Sequence, residues 1–295
     1  MFFVKYRKFY YIFSGLIIFV SLASLVLFGL NLGIDFTGGS VLEVSYNNER
    51  PSNQIIQDEI GGLDLGSITI QPTGDKGVII RTKNIDEEAH QQMLKKLSEF
   101  GSLEEKSFES VGPTVGKELA NRTLIILILS LLSMMIYIAI AFRKVSRVVP
   151  SWKYGVVSAL MLLHDVLVPL GVFSILGKFY DVQMTTPVVV ALLSVVGYAI
   201  NNVVVVYDRM RENLMKRSSL SFEEVVNFAV GQTLSRQINT SLTILFPLFF
   251  IFFIGGDTLK YFALAIILGL VAGLYSSIFL AGPILVSWLG SRNKS

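Results

Sequence analysis

The feature that most constrains this chain is the clustering of its apolar residues into six long runs, at about 10–30, 123–142, 154–176, 187–207, 238–254 and 261–285. The first of them, Tyr10 to Leu30, contains no charge. About twenty such residues cross the roughly 30 Å hydrocarbon layer of a bilayer at 1.5 Å per residue. Composition agrees, because 52% of the 295 residues are hydrophobic and only 16% charged, whereas soluble domains hold about a quarter charged residues. The chain reads as a polytopic membrane protein, and a simple cytosolic enzyme is excluded.

Six spans place both termini on one side, and the basic residues say which. Fourteen flank one set of span ends: Lys5, Arg7, Lys8, Arg143, Lys144, Arg147, Lys153, Arg209, Arg211, Lys216, Arg217, Arg236, Arg292 and Lys294. The two short loops opposite hold only Lys178 and Lys260. Both termini are therefore expected in the cytoplasm and residues 32–122 outside it. The division expected is residues 1–31 as N-terminus and first span, 32–122 as an extracytoplasmic α+β domain, and 123–295 as a five-helix membrane domain. The first span has a basic start but is too long for a signal peptide and lacks a small-residue cleavage site, so it reads as an uncleaved anchor. Thr186 and Pro187 suit the N-cap and first position of the fourth helix. Gly269, Gly273, Ser276, Ser277 and Ala281 form a small-residue face on the sixth, read as a packing surface.

The net charge of +3 conceals a division, since residues 32–122 carry nine Lys/Arg against fifteen Asp/Glu and the remainder carries a net of +9. An acidic domain is joined to a basic membrane part, which argues against nucleic-acid binding. The acidic segment reads β-α-β-β-α-β, with strands at 40–46, 66–71, 77–82 and 103–109 and helices at 52–60 and 85–98. That order suits a small ferredoxin-like α+β domain between the first two spans, its two helices covering one sheet face. Its one histidine, His90, is placed on a polar helical face and forms no catalytic cluster. Residues 221–235 read as a short amphipathic helix along the inner membrane surface, opened by the capping box Ser221-Phe222-Glu223-Glu224.

Catalytic motifs fail in turn. Gly112 to Glu118 has three residues between its glycines and a glutamate after Lys117, whereas a phosphate loop needs four and a Ser or Thr. Tyr207-Asp208 resembles half of an intramembrane aspartyl protease, but Gly255-Gly256-Asp257 does not supply the second motif. G-x-S-x-G and H-E-x-x-H are absent, and the chain has no cysteine and two histidines. No enzyme, cofactor or metal site is expected. What remains is polarity inside the spans: His164-Asp165 in the third, Asn201-Asn202 in the fourth, and Arg236, Asn239, Thr240, Ser241 and Thr243 at the start of the fifth. Ionisable groups at membrane depth are costly and mark ion or proton paths. The hydroxyls and amides read first as interhelical hydrogen-bond glue, Arg236 as a side chain that snorkels, and Asp165 as functional.

Four motifs carry a family resemblance: Gly33-Ile34-Asp35-Phe36-Thr37-Gly38-Gly39 after the first span, Val111 to Gly116 before the second, His164-Asp165-Val166 in the third, and Gly197-Tyr198-Ala199-Ile200-Asn201-Asn202 continuing to Asn213 in the fourth. Thr233 to Arg236 with Thr240-Ser241 fits the fifth. In this order the chain resembles the SecF family of protein-export membrane subunits, within the resistance-nodulation-division superfamily. The resemblance covers nearly the whole chain. It implies as partners a SecD-like six-span subunit, the SecYEG channel, the preprotein, YidC and YajC, in the lipid bilayer of the bacterial inner membrane. It further implies that the external domain handles the emerging preprotein while the membrane part uses a proton or sodium gradient.

One position departs from the family. Where the span-four motif usually ends in the ion-coupling aspartate, this chain has Asn202, and an amide does not exchange a proton near neutral pH. The resemblance places Arg236 opposite that position. The titrating carboxylate is then Asp165 or one supplied by the partner, unless the chain is a variant form. Gly38, Gly39, Gly112 and Pro113, at the two junctions of the external domain, read equally as hinges or as tight turns. A structural subunit without ion coupling and a small-molecule or lipid exporter of the same superfamily are the competing functions.

Overall fold

A computed structural model describes residues 2–143, 149–216 and 220–290. Lys144, Arg147, Arg217, Arg292 and Lys294 of the basic set lie outside the described residues. In chain order the elements are α1 (Phe2–Lys5), α2 (Arg7–Phe28), α3 (Ile34–Thr37), β1 (Gly39–Tyr46), α4 (Asn53–Ile60), β2 (Thr69–Thr73), β3 (Gly77–Thr82), α5 (Glu87–Ser98) and β4 (Leu103–Val111). There follow α6 (Pro113–Ala141), α7 (Ser151–Tyr180), α8 (Thr186–Lys216), α9 (Phe222–Ile254), α10 (Asp257–Ser276), a π-helical turn at Ser277–Ala281, and α11 (Gly282–Gly290). Two compact units result, one of residues 1–31 with 125–295 and one of residues 32–124.

The smaller unit is a four-stranded antiparallel sheet in the order β2-β3-β1-β4, the ferredoxin-like arrangement expected from the element order. Period-two alternation decides which face is covered. Leu42, Val44 and Tyr46 of β1 and Val78 and Ile80 of β3 point to one side, where Ile56 and Ile60 of α4 and Met93 and Leu97 of α5 close the core. Each helix opens on a side-chain cap, Ser52 accepting from the Ile55 amide and Asp86 from the Ala89 amide. The edges resist further pairing: β2 carries Pro72, and β4 exposes Glu104, Glu105, Lys106 and Glu109.

Two expectations for this unit are corrected. The second strand runs from Thr69 to Thr73 rather than 66–71, because Gly66 turns the chain at a φ of 69° and the Leu65 carbonyl is already taken by the Lys83 amide. His90 does not sit on a polar surface. It is buried, its ring stacked on Phe108 of β4 at 3.7 Å between centroids, with Nδ1 3.3 Å from Glu87 and Nε2 3.3 Å from Glu105. The helix turns His90 onto the face of Met93 and Leu97, three and seven residues on, which the flanking glutamines Gln91 and Gln92 obscure. Gln91 and, after it, His90 donate to Glu87 and hold its carboxyl below the usual range, while burial pushes the Tyr46 phenol, which donates to the Leu97 carbonyl at 3.2 Å, upward.

Among the described residues six helical segments are long and apolar enough to cross a membrane: Arg7–Phe28, Pro113–Ala141, Ser151–Tyr180, Thr186–Lys216, Phe222–Ile254 and Leu259–Leu289; all belong to the larger unit except the first part of α6, up to Leu124. All six expected spans are present, longer than their apolar cores. The spans of α7, α8 and α10–α11 bury half or more of their most apolar window, whereas those of α2 and α6 bury 11% and 6% and form the periphery. Gly269 packs on Val195 and Gly273 on Ala199, so the small-residue face of α10 does seat α8. The fourth helix already includes Thr186, and the Thr185 carbonyl accepts the Val189 amide, so the cap lies one residue earlier than expected.

The separate amphipathic helix at 221–235 is also corrected. Its capping box forms as read, Ser221 accepting the Glu224 amide and Glu224 accepting the Ser221 amide. The helix then continues without a break to Ile254, because no proline intervenes before Pro247. Val225, Val226, Ala229 and Val230 are fully buried against the unit's own core, with Met210 and Ala281, rather than laid on a membrane surface.

Candidate functional site

The polar groups of the helical unit gather where α7, α9 and α10 meet. Asp165 is fully buried, and it is the one buried carboxylate among the described residues. Its Oδ1 lies 2.9 Å from Nδ1 of His164, and its Oδ2 accepts the Ser276 hydroxyl at 2.9 Å. Gly273, one turn before Ser276, brings the α10 backbone close: a Cβ there would stand 3.4 Å from Oδ2 and 3.2 Å from Ala199 of α8. His164 is itself buried, and its Nε2 has no hydrogen-bond partner. Its ring packs near Tyr275, centroids 6.1 Å apart.

A second group begins at the next residue, the first of the π turn. Ser277 donates to Oε1 of Gln237 at 2.7 Å, and Nε2 of Gln237 donates to the Thr233 hydroxyl at 3.2 Å. Ser277 also begins the π turn. Such turns lie frequently at functional positions because one extra residue breaks the regular carbonyl pairing. Ser276 and Ser277 can turn their hydroxyls to the Gly273 and Leu274 carbonyls, at 3.2 and 3.0 Å. Two adjacent serines thus tie the helix irregularity to a carboxylate on α7 and an amide on α9.

Not every residue singled out from sequence is here. Asn202 is buried on α8, whereas Asn201 is exposed; Ser241 is buried on α9, whereas Arg236, Asn239, Thr240 and Thr243 are exposed. Asn213 donates to Gln232 and fixes the antiparallel register of α8 and α9. Arg236 is exposed on α9 while Asn202 is buried on α8. Among the described residues no hydrogen bond joins them. The sequence reading missed Gln237, adjacent to Arg236, and took Ser276 and Ser277 for packing alone. The signal available was two consecutive hydroxyls in an otherwise apolar run.

The junction glycines occupy constrained positions. Gly38 and Gly39 have φ of 77° and 139°, which favours glycine. A Cβ on Gly38 would stand 2.6 Å from the Pro113 Cα, and one on Gly116 2.8 Å from the Gly38 nitrogen. Gly39 pairs with Val111 in the β1–β4 ladder, Gly112 follows it directly, and Pro113 opens α6.

Comparison with known proteins bears on what this arrangement belongs to. Residues 90–291 match the family model for the protein export membrane protein SecD/SecF, C-terminal, and residues 23–49 match that for the SecD/SecF GG motif. The chain belongs to the SecD/SecF family. Among curated relatives it is 42% identical to protein translocase subunit SecF of Thermobaculum terrenum over 97% of this chain and 93% of that one. It is 37% identical to SecF of a Synechocystis species, over 96% and 93%. Among solved structures it resembles Thermus thermophilus SecDF, described as a translocon-associated membrane protein, with a TM-score of 0.82, 30% identity and 98% of this chain covered. It also resembles SecDF in a super-membrane-facing form, with a TM-score of 0.72 and 29% identity. The chain spans 38% and 39% of those SecDF chains, while its length agrees with SecF. The stretch that matches the GG motif includes Gly38 and Gly39, the positive-φ pair at the start of β1.

Proposed function

We propose that this chain is a SecF-type subunit of the bacterial inner membrane that works with a SecD-like six-span subunit beside the SecYEG channel. It assists late movement of the preprotein and draws on an ion gradient, a transport role rather than catalysis. The observation that carries this reading is the end-to-end correspondence with SecF in both sequence and fold. On the side distribution of basic residues, the termini face the cytoplasm and residues 32–122 face outward, where an emerging preprotein is met. YidC and YajC complete the set of partners that the family brings.

Two features of the helical unit support the assignment of roles. Arg236, Asn239, Thr240, Thr243 and Asn201 are exposed on spanning helices. Polar groups at that depth are costly in lipid, so this face is where the SecD-like subunit docks. Asp165 then serves as the subunit's own exchangeable carboxylate, in place of the family aspartate that Asn202 replaces. Gly38, Gly39, Gly112 and Pro113 hold the external domain to the foot of α6, where any swing of that domain has to act.

The test is affinity purification of the tagged chain from its native membrane. Recovery of a stoichiometric SecD-like subunit is the expected result, and recovery of the chain alone under conditions that preserve other Sec complexes would overturn the reading. Asn202 favours one second reading, a SecF that only scaffolds SecD. Export that ignores collapse of the gradient while the complex stays intact would select it.

A further inference from the structure

His164 bonds to Asp165 through one ring nitrogen and leaves the other unsatisfied, though the side chain is only 6% exposed. A buried nitrogen left without a partner is costly, so something outside the chain is expected to complete it. His164 lines a groove of about 380 Å³ between α2, α7 and the stretch formed by the π turn and α11. Tyr11, Ser14 and Gly15 of α2 and Leu280 and Ile284 border it; the wall is mostly apolar, its polar side chains being those of Tyr11, Ser14 and His164. Ser14 makes no hydrogen bond among the described residues, and the Tyr11 hydroxyl pairs with Ser287 at 3.0 Å toward the terminal side. The volume exceeds that of several waters at about 30 Å³ each, and Nε2 with the Ser14 hydroxyl offers the two polar partners a water needs.

We propose that this groove is a water-filled port through which His164 relays protons between Asp165 and the side of the membrane that holds both termini. The inference rests on the reading of Asp165 as the exchangeable carboxylate. The step balances within these groups. Asp165 gives its proton from Oδ1 to Nδ1 of His164, and the proton on Nε2 passes to water in the groove. A carboxylate, a neutral imidazole in its other tautomer and a hydronium ion result, and uptake reverses the order. The titratable groups facing the imidazole are Asp165 on its own helix, Tyr11 from α2 and Tyr275 from α10; none is a cation that would expel the proton. Ser276 holds the other carboxylate oxygen, so a shift of the π turn changes the grip on Asp165 and couples the relay to movement of α10. Ser276 is a positioning residue here.

The absence of cysteine makes the port directly measurable in the full chain with its partners. In inside-out vesicles Ser14→Cys is expected to react with a charged, membrane-impermeant thiosulfonate at least tenfold faster than Ile12→Cys, an outward position of α2 that is 74% exposed and lies outside the groove. Diethyl pyrocarbonate is expected to modify His164, the other histidine, His90, serving as the second site in the same mass spectrum. Equal and negligible labelling of both cysteines, with His164 unmodified, means that the groove holds lipid and overturns the port. For function, His164→Gln keeps a donor to Asp165 but cannot relay. It is expected to lower the gradient-dependent part of export at least tenfold while the complex still assembles. Loss with Asp165→Asn but a normal gradient response with His164→Gln overturns the port alone; a normal response with Asp165→Asn overturns the underlying reading.

Discussion

Replacing Gly171 by alanine puts one methyl group into the crossing of α7 with α2. The added Cβ would lie 2.5 Å from the Ser21 Cβ and 2.6 Å from its Cα, whereas carbon atoms rest at about 3.5–4.0 Å. The two helices therefore have to part by about 1 Å. That movement stretches the Ser24 hydroxyl from the Gly171 carbonyl, now 3.1 Å, and the Ser174 hydroxyl from the Ser24 and Gly29 carbonyls, now 2.8 and 2.6 Å. Overpacking costs about 1–3 kcal/mol, and two intramembrane serine hydrogen bonds add about 0.6 kcal/mol each. The gain in helix propensity from Gly to Ala returns about 1 kcal/mol. The net expectation is a destabilisation of about 1–3 kcal/mol, a factor of roughly 5 to 150 in the unfolding equilibrium. Unfolding of the full chain in mixed micelles as the sodium dodecyl sulfate fraction rises, followed by circular dichroism, measures it. Gly231→Ala is the control, since a Cβ there meets nothing within 4 Å and should leave stability unchanged or slightly raised. If Gly171→Ala is as stable as the parent chain, the close crossing is wrong, and with it the wall that α2 contributes to the groove beside His164.

Two further substitutions address the fourth span and the external domain. Asn202→Asp, which restores the family's carboxylate, is expected to raise gradient-dependent export in a strain lacking the native subunit; no gain at equal expression would mean that this position does not limit coupling. His90→Ala removes a buried ring stacked on Phe108 and is expected to cost the small domain about 2 kcal/mol, seen as at least tenfold faster amide exchange in β4, with unchanged exchange placing the ring outside the core.

The spans and the ferredoxin-like order were legible because each follows from a strong local signal: twenty-residue apolar runs for the helices, period-two alternation in Ser40 to Tyr46, and the β-branched run Val78-Ile79-Ile80. The misreadings occurred where a local signal competed with tertiary packing. His90 is flanked by polar residues, so its side-chain neighbours suggested a wet face although helical spacing put it beside Met93 and Leu97. The capping box at Ser221 marks where a helix begins but carries no information on where it ends, and the thirty-three-residue length of α9 rests on the absence of a breaker. In the candidate site, Asp165 and His164 stood out because charge is rare in an apolar run. Ser276, Ser277 and Gln237 did not, since hydroxyls and amides are common in such helices and only packing reveals which of them meet a carboxylate. Asn202 and Arg236 differ in burial, Asn202 buried on α8 and Arg236 exposed on α9, which a fixed offset in sequence does not reveal.

The proposed role of Asp165, coupling this SecF-type subunit to the gradient, is the one on which the mechanism turns. Its most direct test is export of a reporter preprotein into membrane vesicles carrying the full complex, measured before and after collapse of the ion gradient, for the parent chain and for Asp165→Asn. With the variant still recovered alongside its SecD-like partner, export is expected to fall to the uncoupled level and no longer respond to the gradient. An Asp165→Asn complex that keeps the parent's full gradient response would contradict it.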